Sequence, residues 1–138
     1  MGVPSQHGRP SIFRRRDSFR CATRGLLVLL STQPNARIHA AMTASVAAAG
    51  WWLSISRTDW ICVILAAGSV WAAEALNTAV EFLTDRVSPE WSAEAGRIKD
   101  VAAAAVLLVA IAAAITGCCV FAPPLLQLLM AAGGTQTR

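Results

Sequence analysis

From Val101 to Leu126 the chain carries no charged side chain. A helix over that stretch, at ~1.5 Å per residue, is long enough to cross about 30 Å of hydrocarbon. Two further runs have comparable length, Ile38 to Ser56 and Trp60 to Val80, the second with two polar insertions near its end. The whole chain is 55% hydrophobic and 14% charged, with a mean hydropathy of +0.51, whereas soluble domains are roughly 25% charged. Lipid is the solvent this composition suits, and the pattern predicts three transmembrane helices, at about 38–56, 60–85 and 98–122. The first is the weakest, because alanines contribute little transfer energy and His39 and Ser45 dilute them. A re-entrant or surface segment is the alternative there.

Basic residues predict the orientation. Arg9, Arg14, Arg15, Arg16, Arg20, Arg24 and Arg37 precede the first span, and Arg86, Arg97 and Lys99 lie between the second and third. The first connection has only Arg57 against Asp59, and the end only Arg138. The N-terminus is therefore expected in the cytoplasm and the C-terminus outside, as a multi-pass protein of the inner (cytoplasmic) membrane. No cleavage site follows the Arg-rich start at the distance a secretory signal requires. Cys21, Cys62, Cys118 and Cys119 lack metal-ligand spacing and read as apolar fillers. One domain, residues 13–126, is expected between a disordered stretch at 1–12 and a tail at 127–138.

Phe13 to Leu30 alternates apolar side chains with arginines, the pattern of a basic amphipathic helix lying on the membrane surface at about 13–31. Most of these arginines would anchor to anionic lipid, and one or two could hold phosphates. Between the second and third spans, Ser88-Pro89-Glu90 has the form of a helix cap and first turn. Gly96 should end that piece, and Arg97 and Asp100, three apart, could pair.

Within the second span, Glu74, Asn77, Glu81 and Asp85 fall at offsets of zero, three, seven and eleven. At about 100° per residue they share an arc of roughly 80°. No charge precedes them from Trp60 to Ala73, so the polarity is confined to the cytoplasmic end. Ionisable groups inside a span are costly and mark function. Three readings stay open on the stripe alone: a catalytic and Mg²⁺-binding wall, an ion or proton path, and a polar seam between helices. A path needs polar residues across the bilayer, yet Trp60–Val70 and Ile111–Phe121 offer only Ser69, Thr116 and sulfurs.

The stretch from Glu74 through Asn77 and Glu81 to Asp85 resembles the signature of the prokaryotic diacylglycerol kinase family. Gly96-Arg97-Ile98-Lys99-Asp100-Val101-Ala102-Ala103 is similar to that family's second block. The likeness runs from about Phe13 to Pro124, takes in Arg24-Gly25 and Arg37-Ile38-His39, and at Val87-Ser88-Pro89-Glu90 resembles the Gram-positive branch, whose members phosphorylate undecaprenol. The resemblance implies an all-α integral membrane kinase with an amphipathic surface helix and three spans. It further implies a homotrimer with active sites between subunits. The activity implied is transfer of the γ-phosphoryl of ATP, with Mg²⁺, to the primary hydroxyl of a membrane lipid. The implied partners are that lipid, ATP and further copies of the chain, and no nucleic acid.

Under the same resemblance Glu74 matches the general base, and Glu81 a metal ligand. Arg14, Gln33, Asn77, Glu81, Asp85, Glu90, Trp91, Ser92, Lys99 and Asp100 match the ATP site. Glu74, Arg24 and Arg37 fall on the acceptor side. Gln33 departs from the pattern, standing where the family has its second metal-binding glutamate, and a neutral amide there should weaken the metal. Undecaprenol is the expected acceptor; diacylglycerol, or a non-enzymatic membrane protein if Gln33 has abolished the metal site, are the alternatives.

Overall fold

The computed structural model describes residues 11–133, and side chains from Arg16 to Ala132. The ends at 1–10 and 134–138, predicted to be disordered, lie outside the described residues, as does the side chain of Arg14. The described residues fold into four helices: α1, Ser11–Thr32; α2, Pro34–Trp52; α3, Arg57–Val87; and α4, Ala93–Gly133. The long α3 and α4 form an antiparallel pair, α2 lies along α3, and α1 packs on α2 and α3.

The joint between α1 and α2 is one residue long. Gln33 precedes Pro34, which disfavours helical backbone before it, and it adopts extended angles of φ −105° and ψ 115°. Pro34 then opens α2, where a missing N–H costs nothing. The end of α1 is held from across the joint, because Arg37 donates from Nε to Leu30 O at 2.9 Å and from Nη2 to Ser31 O at 2.7 Å. Those carbonyls have no partner within α1 itself.

Between α2 and α3 the chain reverses in a tight turn, with Ser54 at φ 50° and Ile55 N donating to Gly50 O at 3.2 Å. Ser56 and Asp59 form a capping box that starts α3. Along α3, Val63, Val70, Asn77 and Thr84 are buried at a spacing of seven, the repeat of a helix seam packed on neighbours. Polar Asn77 and Thr84 occupy the C-terminal half of a seam that begins with valines.

Several expected boundaries are corrected. α1 begins at Ser11, inside the stretch predicted to be disordered. α2 starts four residues before Ile38 and ends at Trp52, because the reversal takes residues 53–56. Ser88 ends α3, its N–H donating to Thr84 O at 2.8 Å; the cap of α4 is Ser92, whose Oγ accepts from Ala95 N at 3.1 Å. Gly96 then lies within α4, where its N–H is bonded to Ser92 O. α4 also passes beyond residue 122, through Pro123 and Pro124 to Gly133, so the tail expected at 127–138 is helical as far as residue 133. Each proline removes one N–H bond and crowds the carbonyl four residues before it, but its fixed φ is helical.

Among the described residues, α3 and residues 93–132 of α4 are long and apolar enough to cross a membrane. α2 does not reach that level, its alanines being diluted by His39, Thr43 and Ser45. Only 6% of the apolar window of α4 is buried within the chain, leaving Leu107, Leu108, Ile111 and Ile115 exposed. All four cysteines are free and exposed, so they do not fill a core.

Candidate functional site

Glu74 is the most deeply buried large side chain, 1% exposed, and its Oε2 has no hydrogen-bond partner. A buried carboxylate normally has a partner, because an unpaired charge in low dielectric is costly. One turn further on, Thr78 is also buried, and its Oγ1 is likewise without a partner. Nothing in the stripe pattern singles out Thr78, although its place four residues after Glu74 puts the two on one face.

The rest of the stripe separates into two groups. Glu81 is the centre of the first: Asn77 Nδ2 donates to its Oε1 at 3.0 Å, and Gln33 Nε2, 48 positions away in sequence, donates to its Oε2 at 3.1 Å. Asn77 is 7% exposed and its Oδ1 is buried with no partner. The second group lies at the helix ends, where Lys99 of α4 donates to Asp85 of α3. The remaining predicted nucleotide residues sit around this end. Glu90 and Asp100 are exposed, Trp91 is exposed over 89% of its surface, and Ser92 is committed to capping α4. Arg97 faces Glu94 at 3.9 Å rather than Asp100.

Beside the stripe, α1, α2 and α3 enclose an open apolar cleft of about 1170 Å³. Leu26 and Leu29 of α1, Ala44 and Ala47 of α2, and Trp71 and Phe82 of α3 line it, with Arg24 at its rim and Thr78 in its wall. Thr43 reaches the same wall but has its hydrogen bonds filled, donating to His39 O at 2.7 Å and accepting from Trp71 Nε1 at 3.2 Å. Of the acceptor-side residues, Arg24 borders the cleft, Glu74 lies one turn from it along α3, and Arg37 is engaged with the end of α1.

Among the described residues no group of three or more His, Cys, Asp or Glu could hold a metal. Glu81 is a lone carboxylate flanked by two amides. That set fits Mg²⁺ only in the manner in which Mg²⁺ commonly binds, with one or two carboxylates and most of its shell left to waters and substrate phosphates. The unpartnered Oδ1 of Asn77 is a spare oxygen for such a site.

Two long apolar helices, one of them carrying a buried carboxylate at Glu74 and a polar cluster around Glu81 beside an apolar cleft, are the arrangement of a helical membrane protein with a one-sided polar site. The sequence profile of the prokaryotic diacylglycerol kinase family matches residues 20–121. The undecaprenol kinase of Bacillus subtilis (strain 168) is 32% identical over 101 residues, covering 73% of this chain and 82% of that protein. The chain belongs to the prokaryotic diacylglycerol kinase family, and it is a lipid kinase, a phosphotransferase with an alcohol acceptor.

Proposed function

We propose that the protein transfers the γ-phosphoryl group of ATP to the primary hydroxyl of undecaprenol at the cytoplasmic face of the inner membrane. The observation that carries this reading is the unpartnered Oε2 of buried Glu74 beside the apolar cleft. The acceptor hydroxyl gives its proton to Glu74 as its oxygen attacks the γ-phosphorus; the bond from that phosphorus to the β,γ-bridging oxygen breaks, and its electron pair leaves with ADP. Thr78, with a free hydroxyl in the cleft wall, orients the acceptor.

Mg²⁺ held by Glu81, with Gln33 and Asn77 beside it, would neutralise charge on the phosphates. Lys99 and Asp85 set the phosphates at the ends of α3 and α4, with Arg14, Glu90, Trp91, Ser92 and Asp100 completing the nucleotide site. Arg24 stands at the rim for the lipid phosphate. Arg37 acts through α1, which it holds over the cleft.

The polyprenol is favoured over diacylglycerol by the polarity of the cleft. Thr43 and Trp71 satisfy each other, which leaves the buried, unpartnered hydroxyl of Thr78, the Cys21 thiol and Arg24 as the remaining polar side chains of the lining. That supply suits one hydroxyl on a hydrocarbon chain better than a hydroxyl accompanied by two esters.

In the membrane α2 joins α3 and α4 as a third span, with α1 on the cytoplasmic surface. Exposed Trp51 and Trp52 at the end of α2 fit an interfacial belt on the far side. The apolar surface left open on α3 and α4 is shared between lipid and the other subunits of a homotrimer.

The test is phosphoryl transfer from γ-labelled ATP with Mg²⁺ to undecaprenol and to diacylglycerol, side by side in detergent micelles. Transfer to undecaprenol that vanishes in Glu74→Gln is the expected result. Preference for diacylglycerol would overturn the acceptor assignment, and no transfer to either would overturn the enzymatic site.

A further inference from the structure

Gln33 is both the whole joint between α1 and α2 and a partner of Glu81 on α3. Both carboxylate oxygens of Glu81 accept an amide N–H, one from Gln33 and one from Asn77. An amide is two-faced: turned by half a revolution about its terminal torsion, it presents a carbonyl oxygen where it presented N–H. Asn77 has that oxygen to spare, since its Oδ1 is buried and unpartnered. N–H groups and a cation compete for the same side of a carboxylate, whereas carbonyl oxygens join the carboxylate around a cation.

We propose that Gln33 and Asn77 form an amide switch around Glu81, donating N–H to the carboxylate when no divalent cation is present and turning their carbonyl oxygens to the cation when it binds. The proposal deepens the lipid-kinase reading and rests on its placement of the cation at Glu81. It makes Gln33 a neutral ligand that serves two states. Without metal the amide holds Glu81 in place and ties the α1–α2 joint to α3. A carboxylate at position 33 would instead face that of Glu81 at hydrogen-bond range, an arrangement that, at a pH where both are ionised, requires a cation between them.

The experiment compares wild type, Gln33→Glu and Gln33→Met in detergent without lipid or nucleotide. Thermal unfolding is followed in chelator and in Mg²⁺, and Mn²⁺ affinity is read from the loss of the free-ion electron paramagnetic resonance signal. Gln33→Glu is expected to melt several degrees below wild type in chelator, to recover in Mg²⁺, and to bind Mn²⁺ at least tenfold more tightly. Gln33→Met, similar in size but with neither N–H nor carbonyl, is expected to melt lower under both conditions and to bind Mn²⁺ several-fold more weakly than wild type.

A lower melting temperature for Gln33→Met with unchanged Mn²⁺ affinity would show the amide to be a staple that never meets the cation, and the proposal would fail. It also fails if Gln33→Glu is as stable as wild type in chelator, or if wild type binds no Mn²⁺. Because no turnover is measured, these failures are distinct from failure of the lipid-kinase reading, which the phosphoryl-transfer assay tests.

Discussion

Lys99 Nζ and Asp85 Oδ1 stand 2.5 Å apart, tying the first turns of α4 to the last turn of α3. Both side chains keep substantial exposure, 37% for Lys99 and 62% for Asp85, and exposed pairs contribute about 0–1 kcal/mol. The pair is therefore a poor stabiliser, and its proposed role is in the nucleotide site. Lys99→Met is predicted to change the unfolding free energy by less than about 1 kcal/mol and to raise KM for ATP roughly tenfold or more, the loss of a charge-assisted phosphate contact. Melting curves and steady-state kinetics on one preparation separate the two effects. An unchanged KM removes Lys99 from the nucleotide site.

Glu74→Gln preserves shape while removing a charge that has no partner at Oε2. Burying an unpaired carboxylate is costly, so the variant is predicted to melt at or above the wild-type temperature. Its kcat should fall by about 10²–10⁴, the range general-base catalysis supplies. Loss of stability together with activity would mean that Glu74 holds helices together instead of accepting a proton.

The long apolar runs were legible from their length and lack of charge, and the stripe from the 3.6-residue period: Glu74, Asn77 and Glu81 are neighbours by rotation alone. Gln33 was reached through family resemblance, since no periodicity links residues 48 positions apart. What stayed hidden depends on the reach of side chains and on competing caps. Ser88 and Ser92 are both good helix starters by type, and only the packed connection decides that Ser88 finishes α3 while Ser92 opens α4. The third span was expected to end near residue 122, yet α4 continues through Pro123 and Pro124, and a helix with 6% of its apolar window buried has room to relax around them. Thr78 was missed because a threonine in an apolar helix ordinarily bonds back to its own backbone, as Thr84 does to Val80 O at 2.8 Å.

Gly50 occupies a point where a Cβ would be crowded. A Cβ there would lie 3.0 Å from Ile55 Cδ1, in the reversal between α2 and α3, and 3.1 Å from the Trp60 ring in the first turn of α3, so both side chains would have to shift. Gly50→Ala is predicted to destabilise by about 1–3 kcal/mol through overpacking, lowering the melting temperature while leaving KM for ATP unchanged, because the turn is at the opposite end of α3 from Glu81. A shifted KM would reveal coupling along the full length of that helix.

Arg37 tests whether the cleft depends on how α1 is held. Its guanidinium spans the joint to Leu30 O and Ser31 O, carbonyls that would otherwise lack donors at the end of a helix. Lysine keeps the charge but not the planar fork that reaches two carbonyls at once. Arg37→Lys should therefore loosen α1, which supplies Leu26 and Leu29 to the cleft, while leaving Glu81 and Lys99 in place. The predicted outcome is a several-fold rise in KM for the lipid acceptor with KM for ATP nearly constant, accompanied by faster amide hydrogen exchange confined to the last turn of α1. If instead Arg37 contacts phosphate directly, KM for ATP rises and exchange in α1 does not change. The direction of those two readouts decides between a residue that holds α1 in the cleft wall and one that touches substrate.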